Sequence, residues 1–96
     1  MTIEFADHAD AHRFELRDGD EVLGFIDYRL RDGVITLVHT EVDPAHSGQG
    51  LAARLARGAL DDARSRGLSV VPSCPYVASY IGKHPEYADL VAPADR

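Results

Sequence analysis

The sequence predicts an α/β fold of the α+β kind: a mixed, mainly antiparallel sheet with one β-α-β crossover and two helices. Three observations predict it. Apolar and polar residues alternate with a period of two in the first third of the chain, around turn clusters at Arg17-Asp18-Gly19-Asp20 and Asp32-Gly33. From Leu51 onward the apolar period becomes that of a helix. A short apolar run, LSVV at residues 68–71, then follows, and a strand-helix-strand connection of this length places its two strands parallel.

The elements follow in order. After a short N-terminal segment, HRFELR (residues 12–17) reads as a strand. In EVLGFIDYRL, Val22, Ile26, Tyr28 and Leu30 alternate against Asp27 and Arg29. Asp32-Gly33 is the strongest hairpin signal in the chain. VITLVHTEV (residues 34–42) begins apolar on both faces, which predicts a central strand covered on both sides. The first half is therefore an antiparallel meander of three or four strands. Leu51, Ala52, Leu55, Ala56, Ala59, Leu60 and Ala63 then share one helical face, opposite Arg54, Arg57, Asp61, Asp62 and Arg64, and Gly67 closes the helix. Pro72 and Pro75 bracket Ser73 and Cys74 and stop the next strand. PYVASYIGKHPEYADLV predicts a short second helix broken between Gly82 and Pro85, and APADR a frayed tail.

Ninety-six residues make one domain, with its core at about residues 12–91. An apolar fraction of 45% and a charged fraction of 27% are those of an ordinary globular chain. The net charge of −6 argues against a nucleic-acid partner, which would need cationic contacts to phosphates. No run approaches the roughly 20 apolar residues of a membrane span. The first residues lack the basic and apolar regions of a signal peptide, so a cytoplasmic location without a membrane partner is expected. Cys74 is the only cysteine and cannot form an internal disulfide; no metal-ligand spacing is present, so no metal is expected. Nothing in the sequence specifies an oligomeric state.

Chemistry concentrates around Gly48-Gln49-Gly50. Glycines before a helix N-terminus let backbone N–H groups approach an anion unobstructed, but a tight strand-to-helix turn needs glycine as well. A P-loop is excluded, because no Gly-Lys-Ser/Thr occurs. Gly48, Gly50 and Ala53 match the dinucleotide fingerprint literally, yet Ser69, Val70, Val71 and Pro72 stand where its acidic ribose partner belongs, about 20 residues on. A meander with a single crossover also cannot build the doubly wound sheet.

The stretch VDPAHSGQGLA, with HTEV before it and ALDDARSRGLSVVPSCPYVASYI and KHPEYADL after it, resembles the GNAT superfamily of acyl-CoA-dependent N-acyltransferases, in its minimal single-domain branch. Gly50 falls at the motif's invariant glycine and Ala52 at its final small residue. Ser47 departs from it, standing where glutamine or arginine is usual. The resemblance spans residues 35–91 and implies acetyl-CoA (coenzyme A) as cofactor and an amine as acceptor: a protein lysine, a peptide N-terminus or a polyamine. It implies that the amides of Ser47, Gly48, Gln49, Gly50, Leu51 and Ala52 hold the pyrophosphate. The pantetheine arm would lie along the strand edge from Thr40 to Val42, where two parallel strands splay at Pro72, and Tyr76 would line the cofactor.

Amine attack on a thioester needs a base, donors for the oxyanion and a group that handles the departing thiolate. Glu41, near the end of the central strand, is the candidate base, against the alternative of an ordinary strand-end carboxylate. His39 shares its face and either orients Glu41 or the substrate, or serves as a hydrogen-bonded sheet histidine. Cys74, ahead of a helix N-terminus that lowers a thiol pKa, either accepts the acetyl group, lines the acetyl pocket during direct transfer, or packs as a small hydrophobe. Tyr76 and Tyr80 stand on the segment where many enzymes of the resembled family carry a tyrosine acid; the resemblance implies that role for one of them, against the alternative that the i,i+4 pair packs on the sheet. Lys83 and His84 either meet cofactor phosphates or are solvated. The competing class is a non-catalytic acyl-CoA-binding or interaction module that keeps the fold without turnover.

Overall fold

The computed structural model describes residues 3–46 and 48–92. Five strands, β1 (Ile3–His8), β2 (Arg13–Asp18), β3 (Glu21–Arg31), β4 (Val34–Val42) and β5 (Ser69–Pro72), form one sheet in the order β1-β2-β3-β4-β5. Neighbours are antiparallel except β4 and β5, which are joined by helix α1 (Leu51–Ser65) and run parallel. Helix α2 (Pro75–Lys83) follows β5, and a 3-10 helix (Pro85–Leu90) follows the break at His84.

Local sequence accounts for the meander. Asp32 and Gly33 both take positive φ, 53° and 78°, as a two-residue type I′ hairpin requires, and Arg31 pairs with Val34 across it. The N-terminal segment supplies the fourth meander strand: β1 pairs along its full length with β2, from Ile3↔Asp18 to His8↔Arg13. The chain also continues past Leu90 against the sheet. Val91 bridges to Val70 and the Ala92 N–H donates to the Val70 carbonyl at 2.8 Å, so the expected frayed tail is hydrogen-bonded at its first residue. The rest of that tail, and Ser47, lie outside the described residues.

One sheet face is the core. Phe14, Leu16, Ile26, Tyr28, Ile35, Leu37 and Val70 pack there with Leu55, Ala59, Leu60 and Ala63 of α1 and Val77 and Ile81 of α2 in one buried cluster. Phe14 lies between Phe5 and Tyr28, with ring centroids 5.3 Å and 4.8 Å away, which ties β1, β2 and β3 together. Helix α1 crosses β1 closely enough that a Cβ on Gly58 would sit 2.6 Å from the Phe5 ring.

The other face is polar. Cross-strand register sets Glu15, Phe25 and Glu41 in one row and Arg13, Asp27 and His39 in the next. This corrects the expectation that β4 is covered on both sides. Only Ile35 and Leu37 of β4 are buried, and Val38 is 39% exposed. The register of β3 and β4 shifts between Asp27 and Tyr28, leaving Val38 unpaired opposite them, so its apolar side chain is not committed to the core.

Candidate active site

The site begins where β4 and β5 stop pairing. Their parallel register runs from Val34↔Ser69 to Leu37↔Pro72. Pro72 has no N–H to extend the ladder; the last tie is the Cys74 N–H donating to the Leu37 carbonyl at 2.8 Å. Pro75 then starts α2 and turns the chain away. Beyond Leu37 the edge of β4, Thr40 to Val42 included, has no β5 partner among the described residues.

Cys74 sits in this gap, 4% exposed, with its Sγ 3.1 Å from Thr40 Oγ1. Burial pushes the thiol pKa up. The Thr40 hydroxyl and the backbone amides of Val77, Tyr76 and Thr40 pull it down and win, leaving it below the ordinary thiol value. The amides act without closing a capping hydrogen bond, since Cys74 is the N-cap of α2 and its side chain makes none.

The glycine loop leads from this gap into α1. Gly48 and Gly50 have φ of +84° and +72°, and a Cβ at either position would meet nothing within 4 Å. Backbone conformation, rather than space, is what demands glycine there. Gly50 is the N-cap; it supplies no side-chain cap, and the first turn of α1 holds no acidic residue. The opening amides of α1 therefore keep free donors at the positive end of the helix dipole. Val42, His46, Gly48, Gly50, Leu51, Ala52, Ala53 and Tyr76 line a cleft of about 280 Å³ beside them. Gln49 is an exposed loop residue.

Glu41 and His39 point the other way. Side chains alternate along a strand, so Thr40 faces Cys74 while Glu41 and His39 stand on the polar face. His39 Nε2 lies 3.2 Å from Glu41 Oε1, both side chains more than half exposed. Glu41 lines a second cleft, of about 390 Å³, with Arg13, Val22, Gly24, Phe25, Asp43 and Pro44. The free edge of β4 is thus bordered by one cleft at the helix N-terminus and by another at the carboxylate.

Tyr80 belongs to a different cluster. Its ring stacks on His84 at 4.1 Å and tilts against Tyr87 at 6.2 Å, and burial raises its pKa. It lines neither cleft, whereas Tyr76 lines the one at the loop. Several lining residues, Arg13, Phe25 and His46 among them, are not sequence candidates. Phe25 and Arg13 were findable only through cross-strand register. His46 carries a signal of its own, as an imidazole just before the glycine loop.

Comparisons with known proteins agree with this fold. The sequence model of the GCN5-related N-acetyl-transferase family matches residues 13–90. The chain belongs to that family. Among solved structures it is similar to a GCN5-like protein from Staphylococcus aureus, with 26% identity and a TM-score of 0.67 over 95% of this chain and 87% of that one. It is also similar to the ribosomal-protein-S18-alanine N-acetyltransferase of Escherichia coli, with 25% identity and a TM-score of 0.56 over 60% of this chain and 38% of that one. Protein NATD1 of Mus musculus and of Homo sapiens is 34% identical over 62 residues, 62% of this chain. The match spans just over half the length of these relatives, 56% and 55%.

Proposed function

We propose that this protein is an N-acetyltransferase that takes its acetyl group from acetyl-CoA and delivers it to an amine. The observation that carries the reading is the free β4 edge, with an uncapped helix N-terminus at one end and Glu41 on the opposite sheet face. The residues present fit the cofactor: positive-φ glycines and unpaired α1 amides suit its pyrophosphate, and an unpaired strand edge suits its amide-bearing arm. Gly48, Gly50, Leu51 and Ala52 would hold the pyrophosphate, Thr40 and Val42 the arm, and Tyr76 the wall beside them. Acetyl-CoA supplies an activated thioester carbonyl.

Glu41 receives the proton of the incoming ammonium, directly or through water, and its contact with His39 fixes the carboxylate and gives the proton an onward path. The unpaired β4 amides beyond Leu37 are available to a developing oxyanion. Tyr76, at the loop cleft, is better situated than Tyr80 to return a proton to the departing sulfur. The polar sheet face carries no helix among the described residues, so the acceptor side is open, which favours a protein lysine or peptide N-terminus over an enclosed metabolite.

The lowered thiol pKa and the Thr40 contact favour a second route to the same product, in which Cys74 first accepts the acetyl group and then passes it to the amine. The test is label transfer from acetyl-CoA to a mixture of amines. Transfer that falls at least about 100-fold in Glu41→Gln supports the base role. Binding without transfer to any amine overturns the enzyme reading in favour of a binding module. An acetyl adduct on Cys74 after acetyl-CoA alone selects the covalent route; full activity of Cys74→Ala removes it.

A further inference from the structure

The transfer reading leaves one group in the Glu41 cleft unused. Arg13 lies over the Phe25 ring, its guanidinium carbon 4.0 Å from the ring centroid. A guanidinium held over an aromatic ring keeps its fork of N–H donors for a carboxylate. Those donors are poorly used. Nε is buried without a hydrogen-bond partner, 3.5 Å from Asp27 Oδ1, and Nη1 is 4.0 Å from Glu15 Oε2, both longer than a good hydrogen bond. Glu15 is already held more closely, by Arg17 Nε at 2.7 Å and His8 Nδ1 at 3.2 Å. The Arg13 side chain is one-third exposed, and it lines the same cleft as Glu41.

Register brings this cation to the proposed base. Phe25 sits directly opposite Glu41, so the guanidinium over Phe25 and the Glu41 carboxylate line one cleft with Phe25 between their strands. Asp43, the other carboxylate of the cleft, accepts the Ala45 N–H at 2.9 Å, while Glu41, in contact with His39 at 3.2 Å, stays more than half exposed. A cation and an anion lining one open cleft are the complement of a ligand that bears both charges.

We propose that the cleft selects an acceptor that carries a carboxylate as well as its amine, with Arg13 as specificity residue gripping the carboxylate and Glu41 meeting the ammonium. The proposal rests on the acetyltransferase reading and narrows its acceptor. A polyamine would set its second cation against Arg13. The same chemistry comes from two sources, a free amino acid or a peptide amine flanked by an acidic group, and the exposed face of the cleft admits both.

The experiment is a titration followed by backbone amide NMR at neutral pH, with glutamate, an Ala-Glu peptide, its neutral Ala-Gln amide and spermidine as probes. Glutamate and Ala-Glu are expected to shift the amides of Gly24, Phe25 and Glu41, with binding weakened about tenfold or more in Arg13→Gln and less in Arg13→Lys. Binding of Ala-Glu but not glutamate identifies a peptide acceptor, and the converse a free amino acid; either supports the proposal. Spermidine or the neutral amide binding as well as Ala-Glu, or Arg13→Gln leaving Ala-Glu binding unchanged in a spectrum that is otherwise native, overturns it. An acetyl-CoA titration of the same sample reads Gly48, Gly50 and Ala52 instead, so failure there strikes the acetyltransferase reading separately.

Discussion

Thr40 Oγ1 lies 3.1 Å from Cys74 Sγ, across the gap where β4 and β5 cease to pair. One sheet residue and one helix cap thereby share a polar contact just past the last β4–β5 pair. The contact favours the thiolate, so Cys74 is expected to alkylate with a pH midpoint lower than that of an ordinary free thiol. Thr40→Val removes the hydroxyl donor and moves that midpoint up, while Thr40→Ser keeps it. The sign also governs stability. A thiol whose pKa is lowered in the fold contributes stability present above its unfolded pKa, and that contribution is lost as pH falls through the folded value. Alkylation rates measured against pH for the three proteins check the shift.

Gly50 is expected to be intolerant for a conformational reason. Its φ is +72° and a Cβ would meet no neighbour within 4 Å. Gly50→Ala therefore costs about 1–2 kcal/mol through the left-handed backbone alone, and Gly50→Asn costs less, because asparagine enters that region more readily. Urea unfolding of both variants separates this account from a steric one, in which the larger asparagine would be the worse.

Gly58 should behave the opposite way. A Cβ there would lie 2.6 Å from the Phe5 ring, which is itself stacked on Phe14 and has little freedom to withdraw. Gly58→Ala is expected to destabilise by about 1–2 kcal/mol, the overpacking outweighing the roughly 1 kcal/mol that alanine gains in a helix. In a Phe5→Ala background the clash disappears and the same substitution becomes stabilising. A double-mutant cycle by thermal or urea unfolding measures the reversal.

Glu15 lies on the polar face, yet it is only 3% exposed. Burial raises its pKa, but the hydrogen bonds from Arg17 and His8 and their charges outweigh it, so the carboxylate titrates below its usual range. A carboxylate lowered in the fold contributes stability that is present above its unfolded pKa, about 4.3, and is lost as pH falls through the folded value. Glu15→Gln should cost about 2–3 kcal/mol at neutral pH and less in acid, which stability curves at several pH values would reveal.

Much of the fold is legible in particular residues. The alternation of Val22, Ile26 and Tyr28, the Asp32-Gly33 turn and the helical stripe from Leu51 to Ala63 each specify one element by local physics. Strand β1 is harder to read. A 3-10 turn (Ala9–Ala11) and a left-handed His12 at φ 55° link it to β2, and its pairing is visible only once β2 is in place. Val38 misleads because a register shift cannot be read from one strand by itself. At the site, strand parity puts His39 and Glu41 on one face, and the prolines around Cys74 mark the end of β5; both placements are readable locally. Arg13 and Phe25 meet Glu41 only through the registers of two strand pairs, and no local pattern encodes those.

The central claim is that the glycine loop and the free β4 edge form one acetyl-CoA site. Titrating acetyl-CoA and free CoA into the protein, with backbone amides as reporters, tests it most directly. The account predicts binding below about 1 mM, with the largest shifts at Gly48, Gly50, Leu51 and Ala52 and at Thr40 and Val42. Binding of neither molecule in that range, or shifts that avoid both the loop and the β4 edge, would contradict it.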